Sequence, residues 1–321
     1  MRYIDLDKTA AYQKLLALAP EGKMFDFAGK LTAGRVKGSS VPMAAGLVYN
    51  WAAKAADDRV LQALAALAEE QELIAKYRAL LEGEIINTGE KRKVLHHLLR
   101  SKDGKALTGK AVVHEGKDLG EFYLKELERF TVFAEKVRSG ELRPAPGKRY
   151  TAAVQIGIGG SDLGPRALAL ALENWAAAEG KVRLRAGFIS NVDPDDASAT
   201  ASSLSLEETL FILVSKSGVT QETLANELFI KSKLQKAGLD PAKHIVAVTS
   251  EASPLAHNPG YLDSFYIDDF IGGRYSSSSG VGGVILSIAF GSQVFRDFLS
   301  GAAEADKLAL EPDIRKNAAL L

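Results

Sequence analysis

The sequence predicts an α/β protein, a doubly wound parallel sheet preceded by a mostly helical N-terminal region. After Tyr150, short apolar runs alternate with longer segments of helical periodicity. The runs are nearly continuous in Val, Ile and Leu, which is typical of parallel strands buried on both faces. Before this point the chain is rich in Ala, Leu, Glu and Lys at helical spacing. The predicted strands are TAAVQIG, VRLRAGFIS, TLFILVS, HIVAVT and SFYI.

The first half of the chain predicts helices over about 42–99 and again over 119–142. Pro and Gly residues at 143–150 predict a linker between the helical half and the sheet. Further on, the pattern predicts helices after three of the strands, in LGPRALALALENWAA, TQETLANELFIKSKLQ and VILSIAFGSQVF. We expect three regions: a helical N-terminal region at 1–110, an α/β domain at 111–284 and a helical segment at 285–321.

Composition limits the classes of function. The chain has 321 residues, 46% of them hydrophobic, with 40 basic and 40 acidic side chains. A net charge of zero gives no bulk field to attract nucleic acid or anionic lipid, so an anion must be held locally. The absence of cysteine excludes disulfides and thiolate chemistry. With neither a secretory signal nor an apolar run long enough to span a membrane, we expect a cytoplasmic protein.

Ligands of doubly wound sheets bind beyond the carboxyl ends of the strands, so the loops there are candidates for a binding site. The first of these, loop one, is GIGGSDLGP at 157–165. A glycine-rich turn that opens a helix lets an anion approach backbone N–H groups. The alternatives are a structural tight turn and a dinucleotide site. A dinucleotide motif would need glycine at Asp162, and an acidic residue about 20 positions on, whereas Asp193 comes later.

The second candidate, loop two, is residues 215–220 between an apolar strand and a helix that we expect to begin near Thr220. Hydroxyl groups of Ser215, Ser217 and Thr220 can donate to phosphate oxygens, and the first turn of the helix adds free N–H groups. Gly218 lets the backbone curl around the anion. In the alternative interpretation Thr220 is a helix N-cap and Lys216 a solvated surface cation.

The third candidate, loop three, is IGGRYSSSSGVGG at 271–283, which follows the SFYI strand and precedes an apolar helix. Arg274, flanked by glycines at a strand end, can stabilise negative charge that develops on a substrate oxygen. The alternative is a structural arginine that braces loop carbonyls. Among the histidines, only His96 is worth testing, and helix packing is its favoured interpretation. Neither Asp162 nor Glu222 is expected to act as a base.

Together and in this order, GIGGSDLGP, SKSGVTQET and GGRYS resemble the signature set of the phosphoglucose isomerase family, a member of the sugar-isomerase (SIS) fold group. INTGEKRKVLHHLLR at 86–100 is similar to a further segment of that family, and the final RKNAALL resembles a stretch that lies well inside its full-length members. The resemblance covers essentially the whole chain, which then corresponds to the N-terminal portion of such an enzyme.

The resemblance implies a role for each matched position. Gly160 and Ser161 correspond to residues that contact the sugar, and Ser215, Lys216, Ser217 and Thr220 to the loop that binds the 6-phosphate. Arg274 corresponds to the arginine that stabilises the enediolate. The implied reaction interconverts glucose 6-phosphate and fructose 6-phosphate, a step of glycolysis and gluconeogenesis, with no metal or organic cofactor. A homodimer is implied for the full-length protein.

The resemblance also places the glutamate base, the ring-opening histidine and a further lysine beyond residue 321. Without a base this chain alone is expected to lack most of the catalytic rate, since positioned proton transfer contributes about 10²- to 10⁴-fold. Smaller departures are Ser277 and Ser278 in loop three, and Gly218 and Val219 in loop two. Two other hypotheses stay open: a non-catalytic sugar-phosphate-binding protein of the same fold group, and a dinucleotide-dependent enzyme.

Overall fold

The structure is a computed structural model that describes residues 2–18 and 27–321. The helices are α1 Ala10–Leu18, α2 Phe27–Lys30, α3 Ala33–Gly38, α4 Asp58–Glu70, α5 Leu73–Leu81, α6 Leu119–Ser139, α7 Leu163–Ala178, α8 Pro194–Ser202, α9 Gln221–Lys236, α10 Gly280–Phe290 and α11 Ser292–Leu308. The strands are β1 Ser40–Pro42, β2 Val48–Asn50, β3 Ile85–Asn87, β4 Arg92–Lys93, β5 Val113–His114, β6 Lys117–Asp118, β7 Ala152–Ile156, β8 Arg185–Ile189, β9 Thr209–Val214, β10 Ile245–Ser250 and β11 Asp263–Ile267.

The described chain forms two compact units, one made of residues up to Ile86 together with Ser300–Leu321, the other of Asn87–Leu299. Leu95, Leu98 and Leu99, which fall in the predicted region 1–110, are buried in the core of the second unit. Residues 1 and 19–26 of the predicted region 1–110 lie outside the described residues. The division into 1–110, 111–284 and 285–321 stays a prediction about domains.

The first unit is mainly helical, as predicted, with short strands among its helices. Helices α1 and α4 pack together, and the Glu70 carboxylate at the end of α4 accepts hydrogen bonds from the N–H groups of Ala10 and Ala11 at 3.0 and 2.8 Å. Those N–H groups begin helix α1 and have no partner within it, so the carboxylate caps the helix.

The prediction of helices over about 42–99 is wrong at both ends. Helices α4 and α5 form as expected, whereas β1 and β2 pair before them and β3 and β4 follow, with a short 3₁₀ helix at His96–Leu99. Strands of two or three residues are too short to give a period that a sequence window would detect. The segment 143–150 is irregular, as expected, but connects α6 to β7 inside the second unit.

The second unit contains a five-stranded parallel sheet in the order β11-β10-β9-β7-β8. All five predicted strands form, and their side chains alternate between two cores, as in β9, where Leu210 and Ile212 face one core and Phe211 and Leu213 the other. Helices α6, α7 and α10 cover the first face, and α8 and α9 cover the second. The fold is therefore the doubly wound α/β fold that the sequence predicts.

Helix α10 is buried at every position, and it ends earlier than the predicted helix VILSIAFGSQVF. Gly291 adopts a φ of 108°, which separates α10 from α11. The break was not anticipated because a glycine inside an apolar run does not by itself mark the end of a helix.

Candidate active site

Two of the three candidate loops leave the sheet at its topological switch point. Strands β7 and β9 are hydrogen-bonded neighbours although β8 separates them in sequence, so the connections from their carboxyl ends diverge to opposite sides. Loop one follows β7 and loop two follows β9, whereas loop three follows the edge strand β11. A crevice outside a switch point is the usual ligand site of such sheets.

Loop two is a tight turn held by its own hydroxyl groups. Gly218 donates its N–H to the Ser215 carbonyl at 3.2 Å and has a φ of 70°, a conformation that favours glycine. The Ser215 hydroxyl donates to Thr220 Oγ1 at 3.1 Å, and the Val219 N–H donates to Ser217 Oγ at 3.3 Å. The side chains predicted to bind phosphate therefore lie together on one turn.

Several donors of loop two remain unused among the described residues. Thr220 occupies the N-cap position of α9, yet its side chain makes no capping bond there. Ser217 and Thr220 act as hydrogen-bond acceptors, so their hydroxyl hydrogens have no recorded acceptor in this part of the chain. The backbone N–H groups of Lys216 and Ser217 also have none there. This set of free donors suits an anion at the start of α9.

The Lys216 side chain joins loop two to the segment before loop three. Its Nζ lies 3.7 Å from Asp269 Oδ1 and 3.5 Å from the Asp269 carbonyl oxygen. Arg92 Nη1 lies 3.6 Å from the same carboxylate oxygen. Lys216 is half-buried, so it differs from the freely solvated surface cation of the alternative interpretation.

Loops one and three meet through Ser276. Its hydroxyl lies 3.1 Å from the Gly160 carbonyl oxygen and 2.7 Å from that of Gly273, within reach of both acceptors. On the other side of loop one, buried Gln155 of β7 donates from Nε2 to the Ser161 carbonyl at 2.8 Å. No sequence pattern points to Gln155 or Ser276, since their partners are revealed only by tertiary contact.

Arg274 lies on the 3₁₀ helix Gly273–Ser278 and is exposed. Within residues 2–18 and 27–321 its guanidinium has no recorded hydrogen bond or ion pair. The alternative that Arg274 braces loop carbonyls therefore finds no such bond in the described structure. Its five N–H donors stand unused beside the junction of loops one and three.

His96 supports the start of loop three. Its Nε2 lies 2.8 Å from the Gly272 carbonyl oxygen, and its ring meets Tyr275 edge to face with centroids 6.3 Å apart. Burial lowers the pKa of His96, with smaller contributions from the positive charges of Arg100 and Lys216. The favoured packing role thus extends to a polar contact with the segment that carries Arg274.

The carboxylates near the candidate site have structural partners. Asp162 is buried at the start of α7 and pairs with Arg166, 2.9 Å from both Nε and Nη2. Burial raises the pKa of Asp162, whereas the Arg166 guanidinium acts in the opposite direction. Asp268 accepts a hydrogen bond from the Tyr123 hydroxyl at 2.6 Å. Neither carboxylate is free to act as a general base, in agreement with the sequence-based expectation for Asp162.

Comparison with known proteins identifies the family. The family model for phosphoglucose isomerase matches residues 50–321, which is most of the chain. The chain belongs to the phosphoglucose isomerase family. It is 57% identical over its whole length to a glucose-6-phosphate isomerase of Treponema pallidum, and 52% identical to one of Treponema denticola. In both cases it covers 60% of the relative's length.

A solved structure agrees with this assignment. The crystal structure of a glucose-6-phosphate isomerase from Chlamydia trachomatis has a TM-score of 0.83 and 36% identity. The alignment covers 98% of this chain and 58% of the other. The likeness confirms the expected resemblance and the sugar-isomerase type of α/β fold. The chain spans about three-fifths of the length of the relatives that it matches.

Within residues 2–18 and 27–321 no group of three or more His, Cys, Asp or Glu side chains is arranged to hold a metal ion. In the same residues no helix combines the length and apolarity needed to cross a membrane.

Proposed function

We propose that the protein interconverts glucose 6-phosphate and fructose 6-phosphate, and that this chain supplies the sugar-phosphate half of the active site. One observation carries the proposal: the three loops follow strands at the same end of the sheet, and two of them lie at its switch point. The chain that has this arrangement belongs to the phosphoglucose isomerase family. A hexose 6-phosphate is the substrate, and the reaction is an aldose-ketose isomerisation that needs neither metal nor organic cofactor.

Loop two is the phosphate cradle. The unused hydroxyl hydrogens of Ser217 and Thr220, the free N–H groups of Lys216 and Ser217, and the positive end of α9 form a set of donors that suits a dianion. The Ser215 hydroxyl orients Thr220 at 3.1 Å and is close enough to share the ligand. The Lys216 ammonium adds positive charge next to the turn.

Loops one and three form the sugar side of the site. Gly160 and Ser161 contact the sugar, and Ser161 lies in a loop whose backbone is fixed by Gln155. Arg274 stabilises the enediolate oxygens formed when a proton moves between C1 and C2, because its guanidinium is not engaged by described neighbours. The proton acceptor is not among the carboxylates with structural partners, and we assign it to the region of the relatives that lies outside the three-fifths matched by this chain.

The test uses the 321-residue chain and a version extended to the length of its relatives. The extended chain is expected to convert fructose 6-phosphate to glucose 6-phosphate, with Arg274→Ala lowering kcat by about 10²-fold or more. Arg296→Ala is the matched control and keeps the activity, because it removes a half-buried arginine of α11 that binds Glu128 and Thr131 of α6 and belongs to none of the three loops. A well-folded extended chain that does not interconvert the two hexose phosphates would rule out the proposal.

The 321-residue chain distinguishes the alternatives. We expect it to bind fructose 6-phosphate, seen as a rise in Tm, without measurable turnover. Tight binding combined with an inactive extended chain would favour a non-catalytic sugar-phosphate-binding protein. A rise in Tm with NAD or NADP in place of the sugar phosphate would favour a dinucleotide-dependent enzyme, against which the ion-paired Asp162 in loop one already argues.

We further propose a cytoplasmic homodimer that binds neither nucleic acid nor membrane. Two exposed leucines on one helix of the second unit support a protein contact: Leu163 and Leu170 lie two turns apart on α7. Analytical sedimentation of the extended chain measures its oligomeric state, and a monomer at micromolar concentration would contradict the proposed homodimer.

A further inference from the structure

The first residues of loop two continue the sheet beyond the end of β9. The Ser215 N–H donates to the Val248 carbonyl at 3.1 Å, and the Ser250 N–H donates to the Lys216 carbonyl at 3.0 Å. Thr249 stands between these two bonds on β10, opposite the Ser215–Lys216 peptide. The end of β10 and the turn after it therefore form the floor of loop two.

A chain of three buried hydrogen bonds leads through this floor, and its last bond reaches loop two. Thr249 Oγ1 lies 2.7 Å from the Ser215 carbonyl oxygen and 2.6 Å from Ser253 Oγ, and the Leu255 N–H donates to Ser253 Oγ at 3.0 Å. Thr249 is fully buried, and Ser253 is nearly so. No substrate-binding role was assigned to Thr249 or Ser253 from the sequence.

The donors in this chain of bonds have one consistent order. A carbonyl oxygen can only accept, so the single hydroxyl hydrogen of Thr249 goes to Ser215. Thr249 must then accept from Ser253, whose oxygen accepts in turn from Leu255. Each bond polarises the next, which strengthens the last one, on the Ser215 carbonyl.

These hydrogen bonds fix the orientation of the Ser215–Lys216 peptide group in loop two. The Ser215 carbonyl accepts from both Thr249 and the Gly218 N–H, so both of its lone pairs are engaged. In a trans peptide the N–H points opposite to the carbonyl, and Lys216 contributes that N–H, which is unpaired among the described residues. Fixing the carbonyl on the floor thus aims the Lys216 N–H away from the floor.

Ser253 supports the same turn at a second point. A Cβ at Gly218 would lie 2.3 Å from Ser253 Oγ, so the hydroxyl packs directly under the glycine. The anchored carbonyl and the packed glycine lie at the two ends of the turn. Both therefore depend on the end of β10 and the turn after it.

We propose that Thr249 and Ser253 are positioning residues of the phosphate site, which hold the Ser215–Lys216 peptide so that the Lys216 N–H donates to the bound phosphate. The inference rests on the proposed function only in naming a sugar phosphate as the ligand. Neither hydroxyl donates to the ligand, since the Thr249 hydrogen goes to the Ser215 carbonyl and the Ser253 hydrogen goes to Thr249.

The test measures the affinity of this chain for fructose 6-phosphate and for inorganic phosphate by calorimetry. Thr249→Val removes the hydroxyl and keeps the branched shape, and we expect it to weaken the binding of both ligands by the same factor, about tenfold. Thr249→Ser restores the hydroxyl and is expected to bind within about twofold of the parent chain.

The matched control is Thr209→Val. Thr209 is also fully buried, begins β9 at the opposite end of the strand, and donates its hydroxyl to the Ser205 carbonyl at 2.7 Å. It should lower the free energy of unfolding as Thr249→Val does, without changing either affinity. Parent-like binding by Thr249→Val, or an equal loss of affinity in Thr209→Val, would overturn the proposal.

The experiment also distinguishes misfolding of the variant, and failure of the proposed function, from failure of the positioning role. Should Thr249→Val fail to fold, Ser253→Ala removes the donor to Thr249 at a less buried position and carries the same expectation of weaker binding. A parent chain that binds inorganic phosphate but not fructose 6-phosphate would contradict the proposed function and leave the positioning role supported by the phosphate data. A parent chain that binds neither would overturn both.

Discussion

Gly160 and Gly273 pack backbone against backbone: a Cβ at Gly160 would lie 2.3 Å from the carbonyl carbon of Gly273. No side chain fits at that distance, so the approach of loop one to loop three requires glycine at position 160. Ser276 adds a hydroxyl within hydrogen-bonding distance of both carbonyl groups. The position of Arg274, next in sequence to Gly273, is thereby tied to the loop that follows β7.

Gly160→Ala should separate the two loops, because the added methyl group would clash with the Gly273 backbone, which cannot move aside as the end of a flexible side chain can. We expect a loss of about 1–3 kcal/mol in the free energy of unfolding, and at least a tenfold loss of kcat/KM in the extended chain. Gly89→Ala is the control, since its Cβ would meet only Asn87 Oδ1 at 3.7 Å. Urea unfolding and the isomerase assay provide the two measurements, and parent-like values for Gly160→Ala would contradict the packing argument.

The pKa of His96 gives a prediction about pH. Burial lowers it, so the folded protein keeps His96 neutral at pH values where the unfolded chain, with a pKa of about 6.5, takes up a proton. The unfolded state then binds more protons, and stability falls as the pH decreases below about 6.5. His96→Gln should make the free energy of unfolding depend less steeply on pH, by up to about 1.4 kcal/mol per pH unit.

The hydrogen bond of His96 is tested separately from its titration. The Gly272 carbonyl can only accept, so Nε2 carries the hydrogen. His96→Phe keeps a ring but has no donor, and we expect it to be less stable than His96→Gln at pH 7.5 by about 1 kcal/mol. Both variants should share the shallower pH dependence in urea titrations. If the free energy of unfolding depended on pH between 7.5 and 5.5 as steeply in the variants as in the parent chain, His96 would not titrate as described.

Tyr123 and Asp268 predict a second pH-dependent effect. Burial raises the pKa of Asp268, while the Tyr123 hydroxyl and the Phe270 N–H stabilise its carboxylate. The folded state therefore holds the proton in a window above the pKa of about 3.9 of the unfolded chain, and stability falls as the pH rises through that window. At pH 7 the carboxylate depends on its donors.

Tyr123→Phe removes one of those donors and should lower the free energy of unfolding by about 1.5–3 kcal/mol at pH 7. The loss should be smaller near pH 4, where more of Asp268 is protonated. It should also be smaller in an Asp268→Asn background, since the charged acceptor is then absent. Equal losses at both pH values and in both backgrounds would mean that Tyr123 contributes only its ring.

The parts of this structure that were predictable are those with a local cause. The apolar runs predict all five strands of the sheet, and the hydroxyl-rich SKSGVT segment predicts a turn before a helix at Thr220, which begins at Gln221. The contacts that join the loops have no local cause. Ser276 and Gly160 are 116 positions apart, and Thr249 and Ser215 are 34 apart. A threonine that ends an apolar strand gives no sign that its hydroxyl will reach the neighbouring loop.

The sheet has an open edge at strand β11. On edge strand β11 the Tyr266 N–H donates to Glu126 Oε2 of α6 at 2.7 Å, where another strand would otherwise pair. Arg129 donates from Nη1 to both oxygens of Glu126, at 2.8 and 2.9 Å, and from Nη2 to the Ser264 carbonyl at 3.0 Å. Side chains of a helix thus satisfy the edge of the sheet.

Glu126→Ala should lower the free energy of unfolding by about 1–3 kcal/mol, because it leaves the Tyr266 N–H group without its acceptor and takes one of two carboxylates from Arg129, which keeps Asp263 at 3.2 Å. Glu126→Gln keeps an oxygen acceptor and should lose less. Glu128→Ala, on the same helix, breaks only an exposed pair with Arg296 and should lose at most about 1 kcal/mol. Urea unfolding of the three variants ranks them, and a loss in Glu126→Ala no larger than in Glu128→Ala would mean that solvent satisfies the strand edge without help from α6.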